Sequence, residues 1–217
     1  MCLMLHYDVW INPGRFKSLT ESIKAIGKNS ILISEITEVI ELLIERIDYL
    51  EREIKLGYPQ PLRLHSRYTR DQILAAFQLH SFENKSSNRE GVAYIPSLHT
   101  EILFVTLNKS ATDYSPTTLY DDFAISDKIF HWQSQNAARP DYGKGLSYIS
   151  QEENEKIILL FIREQNDDEY GNTMSYVFLG DAKYLEHHGA KPMNIKWELN
   201  EPMPAYIWKD SAKMAIG

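Results

Sequence analysis

Between Ile33 and Ile54 the apolar residues Ile36, Ile40, Leu43, Ile47, Leu50 and Ile54 recur at alternating spacings of four and three, with Glu35, Glu38, Glu41, Glu45, Arg46, Glu51 and Arg52 between them. That is a heptad seam, and it predicts a long amphipathic helix. Gly57, Pro59 and Pro61 end it, by offering a left-handed cap position and then residues that cannot continue a helix. The seam has two possible destinations: the N-terminal neighbour at Leu19–Ile26, or a second chain, giving a homodimer through residues 33–54. Beyond the prolines the pattern changes. Thr69-Arg70-Asp71-Gln72 has the form of a capping box and should open a short helix through Leu74 and Phe77.

From Gly91 onward the periodicity is that of strands. Val92–Ile95 and Glu101–Leu107 are separated by Pro96-Ser97, and Ile157–Ile162 is a continuous apolar run, as expected of a strand covered on both faces. Met193, Ile195, Trp197 and Leu199 alternate with Asn194, Lys196 and Glu198, which predicts a strand with one wet face. The polar run Asn166–Asn172 reads as a hairpin turn. The expected architecture is α+β: an N-terminal helical connector over residues 1–58, then a β-rich unit over residues 59–217 built as a curled mixed sheet or small barrel.

Composition narrows the class. A 43% hydrophobic share in 217 residues is enough for a real core, so the chain should fold without staples. The one cysteine, Cys2, excludes an internal disulfide and any zinc site of several thiolates, which suits the reducing cytoplasm. No apolar run approaches the roughly 20 residues that span a bilayer, so no membrane partner is expected. A net charge of -7 argues against gripping nucleic acid through a broad basic surface. The charge is uneven, however. Residues 60–150 carry 9 basic and 9 acidic side chains, against 7 and 12 over residues 151–217, so phosphate contacts are expected in the middle of the chain.

Several chemistries lack their signatures. There is no GxxxxGK[ST] loop, GxSxG elbow, HExxH, CxxC or HxKxxxxD pattern. His187 and His188 are adjacent, so their rings diverge on a regular element and do not readily share a metal. Neither a catalytic residue, nor a metal, nor a cofactor is expected.

The informative stretch runs from Asn108 to Gln135. Asn108-Lys109-Ser110, Tyr114-Ser115-Pro116-Thr117-Thr118-Leu119-Tyr120-Asp121-Asp122 and Phe130-His131-Trp132-Gln133-Ser134-Gln135 interleave amides, hydroxyls and rings. Such a mixture suits a site for a planar heterocycle. An extruded base is read by stacking and by hydrogen bonds to its pairing edge. A carboxylate at Asp121 or Asp122 can accept from a cytosine exocyclic amine, while Lys109, Ser115 and Thr117 can hold flanking phosphates. Plainer readings stand beside these: Trp132 as core, His131 as a structural histidine, Asp121-Asp122 as a turn pair, and Ser115-Pro116 as a helix start.

Tyr68–Leu74, Arg89–Val92, Phe104–Ser110, Ser115–Thr118 and Phe130–Gln135 resemble the domain of uncharacterised function at the C-terminus of bacterial helicases, and Phe178-Leu179-Gly180, Gly189–Met193 and Pro202–Ala205 continue the resemblance. In that family the domain follows a phospholipase-D-like nuclease and a helicase, as in SauUSI-like type IV restriction enzymes that attack 5-methylcytosine DNA. The resemblance implies an SRA/PUA-like fold and recognition of cytosine-modified double-stranded DNA by base flipping, with helicase and nuclease domains supplied elsewhere. It would make Trp132 and Tyr120 stacking residues, Asp121 the reader of the base edge, and His131, Gln133 and Gln135 pocket contacts. Asn108, Lys109, Ser115 and Thr117 would then contact phosphate and sugar. Two other functions stay open: a metal-dependent nuclease using Asp121, Asp122, His131 and Glu153, and a protein-interaction module centred on the heptad helix.

Overall fold

The computed structural model describes residues 1–10, 13–46, 52–88, 90–108 and 122–208. Its organising element is a parallel pair of strands. β3 (Thr100–Thr106) and β6 (Ile157–Arg163) run side by side from Thr100 opposite Ile157 to Thr106 opposite Arg163. Their apolar runs face two separate cores, as the unbroken hydrophobicity of Ile157–Ile162 requires. Leu103, Val105, Ile158, Leu160 and Ile162 belong to one cluster, and Ile102, Phe104, Leu159 and Phe161 to the other.

The remaining strands extend this pair into one mixed sheet of order β2-β3-β6-β7-β8-β5-β4, where β2 is Val92–Ile95, β4 Phe123–Ala124, β5 Ile129–Gln133, β7 Tyr176–His188 and β8 Asn194–Leu199. β1 (Arg67–Tyr68) pairs with the start of β7. β2 and β3, separated at Pro96-Ser97, pair antiparallel, and the predicted hairpin turn at Asn166–Asn172 joins β6 to β7, also antiparallel. In β8, Ile195, Trp197 and Leu199 are buried and Glu198 is exposed, the alternation its sequence shows. The α+β reading with a mixed sheet therefore holds.

The sheet curls sharply. Phe104 on β3 and Trp132 on β5 line the same cavity, although β6, β7 and β8 lie between them in strand order. Four steps of a flat sheet would separate them by about 19 Å. β7 supplies much of the bend. Its first half pairs with β1 and β6, its second half with β8, and the register shifts between Tyr184 and Glu186. Bulges of this kind raise local twist. Gly180, at the bend, has φ +88, and a Cβ there would stand 2.8 Å from Leu64 Cδ1 and 3.1 Å from Ile54 Cδ1.

Helices cover the second core. α4 (Arg70–Ala76) begins with the predicted capping box: Thr69 Oγ1 accepts from the Gln72 amide at 3.2 Å, and Gln72 Oε1 accepts from the Thr69 amide at 2.8 Å. α1 (Cys2–Val9) packs on α4, and Met4 joins Leu56 and Leu62 in the same apolar cluster, so residues on both sides of position 58 share one core. α2 (Leu19–Lys28) and α3 (Ser30–Ile44) follow, with Asn29 capping α3 through its side chain. α5 (Gly143–Ile149) stands before β6. Among the described residues no helix is long and apolar enough to cross a membrane.

The heptad expectation needs correction. α3 ends at Ile44 rather than Ile54, and residues 47–51 lie outside the described residues. Arg52 makes an isolated bridge with Leu64, while Ile54 packs against the second core beside Gly180. Heptad spacing records only the separation of apolar residues, and Ile54 buries its side chain against the sheet instead. Gly180→Ala is expected to destabilise the protein by about 1–3 kcal/mol, through both the left-handed backbone and the contact with Leu64. A lowered urea midpoint would show it, and an unchanged midpoint would mean that the bend does not depend on this glycine.

Candidate functional site

A parallel connection cannot close as a hairpin, so the chain leaving β3 must make a long crossover before returning as β6. That crossover contains β4, β5 and α5, and it brings Trp132 and Gln133 of β5 to the end of the sheet where β3 and β6 stop together at Thr106 and Arg163. A cavity of about 950 Å³ opens there. Its walls come from Phe104 and Thr106 on β3, Arg163 on β6, Tyr176 on β7 and Trp132 and Gln133 on β5, with the start of α4 and the segment Gln135–Ala137 closing the sides.

Two walls are cation-on-ring stacks. The Arg70 guanidinium lies 3.9 Å from the Phe104 ring centre, and Arg163 lies 4.6 Å from that of Tyr176. Both guanidiniums are held by hydrogen bonds. Arg70 Nη2 donates to Asn88 Oδ1 at 2.9 Å and to the Glu90 carbonyl at 2.5 Å. Arg163 Nε donates to Thr106 Oγ1 at 2.9 Å and Nη2 to Asn166 Oδ1 at 2.7 Å. A planar ligand entering this space meets rings and guanidinium faces that are already oriented.

Polar groups complete the lining. Asp122 Oδ1 accepts from the Gln133 amide at 2.8 Å, tying the residue before β4 to the end of β5. Asp71 Oδ1 accepts from His80 Nε2 at 3.1 Å, and its other oxygen pairs with Lys85. Because His80 Nδ1 accepts from the Ser86 amide at 2.8 Å, the ring proton sits on Nε2, facing Asp71. Burial opposes ionisation of Asp71, but the hydrogen bonds from Lys85 and His80 outweigh it and hold the carboxyl below the ordinary aspartate range. Behind the wall, the Tyr148 hydroxyl lies 3.2 Å from both Gln135 Oε1 and Glu101 Oε1, and burial followed by the Glu101 charge pushes its ionisation far upward. That hydroxyl acts as a neutral link between cavity and core.

The structure brings together only part of the predicted set. Trp132 is buried as its core reading has it, 4% exposed and packed edge-on against Tyr148 at 5.3 Å, and it also lines the cavity. Gln133 and Gln135 also line it. His131 lies away from the lining, buried and stacked on Phe123 at 4.5 Å. Asn108 is likewise outside the lining, its amide donating to the Glu164 carbonyl at 2.7 Å. Lys109, Ser115, Thr117, Tyr120 and Asp121 lie outside the described residues. Sequence reasoning missed Arg70, Phe104, Thr106, Arg163 and Tyr176. One signal was present, since Arg163 is a lone cation closing an apolar strand, where a charge needs a partner at the strand end.

The sequence profile described as Domain of unknown function (DUF3427) matches residues 62–211. The chain belongs to the DUF3427 family. Every described residue that lines the cavity falls inside the matched DUF3427 range. No curated protein matches the sequence. A solved structure of Arabidopsis thaliana SUVH6 in complex with SAM is similar at 10% identity and a TM-score of 0.40, over 100% of this chain and 40% of that one. The chain thus spans less than half the length of that neighbour.

Asp71 gives the site a pH signature. A carboxyl held below its unfolded value adds stability above the ordinary aspartate range and loses it as pH falls through the folded value. Wild-type protein should therefore lose stability relative to Asp71→Asn between about pH 5 and about pH 3. Urea midpoints measured for both across that range will show converging curves, whereas parallel curves would remove the ion-paired role.

Proposed function

We propose that the cavity receives a nucleobase swung out of double-stranded DNA, and that the chain is a recognition unit for modified cytosine rather than an enzyme. The observation that carries this is the cavity's lining: rings and guanidinium planes for stacking, with the Gln133 and Gln135 amides and the Asp122 carboxylate beside them. Its volume lies in the range of roughly 300–1,000 Å³ usual for small-ligand sites. Extrusion of a base costs a few kcal/mol, and stacking on a protein ring returns about 1–3 kcal/mol per base, so one or two such walls suffice to offset it. Asp122 and the glutamines carry acceptors suited to a cytosine exocyclic amine.

The wider setting we propose follows from the resemblance to helicase C-terminal domains: residues 59–217 as the target-recognition part of a type IV restriction system, residues 1–58 as its connector, with helicase and nuclease domains as partners. The metal-nuclease alternative has no observation in its favour. Among the described residues no group of three His, Cys, Asp or Glu side chains stands close enough to hold a metal ion, and Asp121 lies outside them.

Self-association has one supporting observation. α3 buries none of its residues, and Ile33, Val39, Ile40, Leu43 and Ile44 are all exposed. The apolar stripe runs along one broad side while Glu38, Glu41 and Glu45 keep to the other, so pairing two copies along the stripe separates their acidic faces. Ile40→Glu combined with Leu43→Glu should yield a monomer by sedimentation, with an unchanged urea midpoint for the β-rich unit. Wild-type protein that sediments as a monomer at every concentration would remove the dimer.

The central proposal is tested by fluorescence anisotropy with duplexes that differ only in cytosine methylation. Burying one methyl contributes about 0.8 kcal/mol, so several-fold tighter binding of the methylated duplex is expected from methyl contact alone. Ala137→Trp, at an exposed position on the cavity rim, should abolish that preference without unfolding the core. Equal affinity of wild-type protein for the two duplexes would overturn the reading.

A further inference from the structure

Five of the cavity's lining residues, Glu90, Gly91, Asn136, Ala137 and Thr173, are exposed and therefore mark its mouth. Two of the segments that form this mouth carry opposite charge. Next to Thr173 stands the β6–β7 hairpin, closed by the bridge between Asp167 and Thr173 and by the Met174 amide on the Asn166 carbonyl at 2.8 Å. It bears Glu164, Asp167, Asp168 and Glu169 and no cation after Arg163, whose guanidinium points back into the wall.

The Asn136–Ala137 side is built differently. The turn that follows them carries Arg139, the start of α5 carries Lys144, and the turn is bound to the tip of the β7–β8 hairpin. The Lys191 amide donates to the Ala138 carbonyl at 2.9 Å, the Ser134 amide to the Met193 carbonyl at 2.9 Å, and the Met193 amide to Ser134 Oγ at 2.9 Å. Lys191 is thereby held next to the turn, exposed, with φ 58, a left-handed conformation that a lysine seldom adopts. Its charge is felt by Asp141, whose carboxyl is held down to about 2, chiefly by hydrogen bonds from Arg139. Arg139 forms a two-pronged pair with Asp141, and Lys144 lies 3.8 Å from Glu101, a carboxylate that Lys156 already neutralises. The side keeps a net positive charge, whereas the hairpin carries four carboxylates.

We infer that the Arg139–Lys144–Lys191 lip is the phosphate seat of the site, over which the backbone of a DNA duplex runs, and that the acidic hairpin keeps the backbone off the other part of the mouth. The inference rests on the proposed reading only in taking DNA as the ligand. It also explains how a chain of net charge -7 can bind a polyanion: the cations need only be local, because fields from exposed charges fall away within about 10 Å at ordinary salt. Phosphates carry no sequence information, so the lip orients the duplex while the cavity discriminates.

The test is a salt series of anisotropy titrations on the full chain, with methylated and unmethylated duplexes. Lys191→Asn removes the charge while keeping a residue that tolerates a left-handed backbone, and Lys191→Arg restores the charge. With Lys191→Asn, the slope of log affinity against log salt should become shallower by about one on both duplexes. Adding Arg139→Gln should reduce it by about one more, and Lys191→Arg should return the wild-type slope. The ratio between the two duplexes should stay as in the wild type throughout. If wild-type protein prefers methylated DNA and the slope does not move with Lys191→Asn, the lip is wrong and the cavity reading stands. If the slope falls while wild-type protein shows no methyl preference, the lip stands and the cavity reading fails. Absence of any salt-dependent binding by wild-type protein overturns both.

Discussion

The cavity exists because one strand belongs to two half-sheets. β7 pairs with β1 and β6 near its start and with β8 toward its end, so the two halves meet at an angle set within β7 itself. Gly180 makes that angle possible, since its left-handed backbone brings Leu64 and Ile54 to where a side chain would otherwise stand. With the angle removed, Trp132 and Phe104 would separate by the width of the intervening strands, and no enclosed space would remain between them. The two cores follow from the same geometry. One gathers around Trp197, Tyr148 and Phe130, and the other lies beneath α1 and α4.

A buried charge network stiffens the wall behind the cavity. Glu101 is 1% exposed and Lys156 has 5% of its side chain exposed, and the two are paired with each other within the wall. Lys156 also donates to Ser147 Oγ at 2.9 Å and lies 5.3 Å from the Tyr148 ring centre. Loss of one partner from such a pair typically costs about 3–5 kcal/mol, whereas the intact pair adds little net stability. Its contribution is therefore positional: it holds the Tyr148 hydroxyl, and that hydroxyl holds Gln135 at the cavity wall.

Local signals in the sequence proved legible and distant ones did not. The capping box at Thr69, the hairpin turn at Asn166, the two-faced strand at Ile157 and the wet face of β8 each depend on residues within one or two turns of chain. The end of α3 was misread because Ile54 takes its place from Gly180 and Leu64, far along the chain, rather than from its spacing to Leu50. The same contrast divides the site. Trp132, Gln133 and Gln135 stand out as aromatic and amide residues on one short segment. Phe104, Arg163 and Tyr176 become wall residues only when β3, β6 and β7 pair side by side, and Arg70 only when α4 packs against them, and no periodicity encodes that meeting.

A methyl group alone is a weak basis for selectivity, and the architecture of the walls bears on how more could be obtained. About 0.8 kcal/mol from one buried methyl separates two ligands by only several-fold. A wall that moves freely would relax around either ligand and gain nothing further. Here Arg70 is pinned by Asn88 and Glu90, and Arg163 by Thr106 and Asn166, so the guanidinium faces cannot shift without breaking charge-assisted hydrogen bonds. A rigid cavity leaves a gap where a smaller ligand lacks the methyl, and the gap forfeits contacts on every side. On the proposed reading, pinning the guanidiniums would convert a small difference in ligand volume into a larger difference in affinity, and discrimination would then depend on the hydrogen bonds that hold the walls as much as on the groups that touch the base.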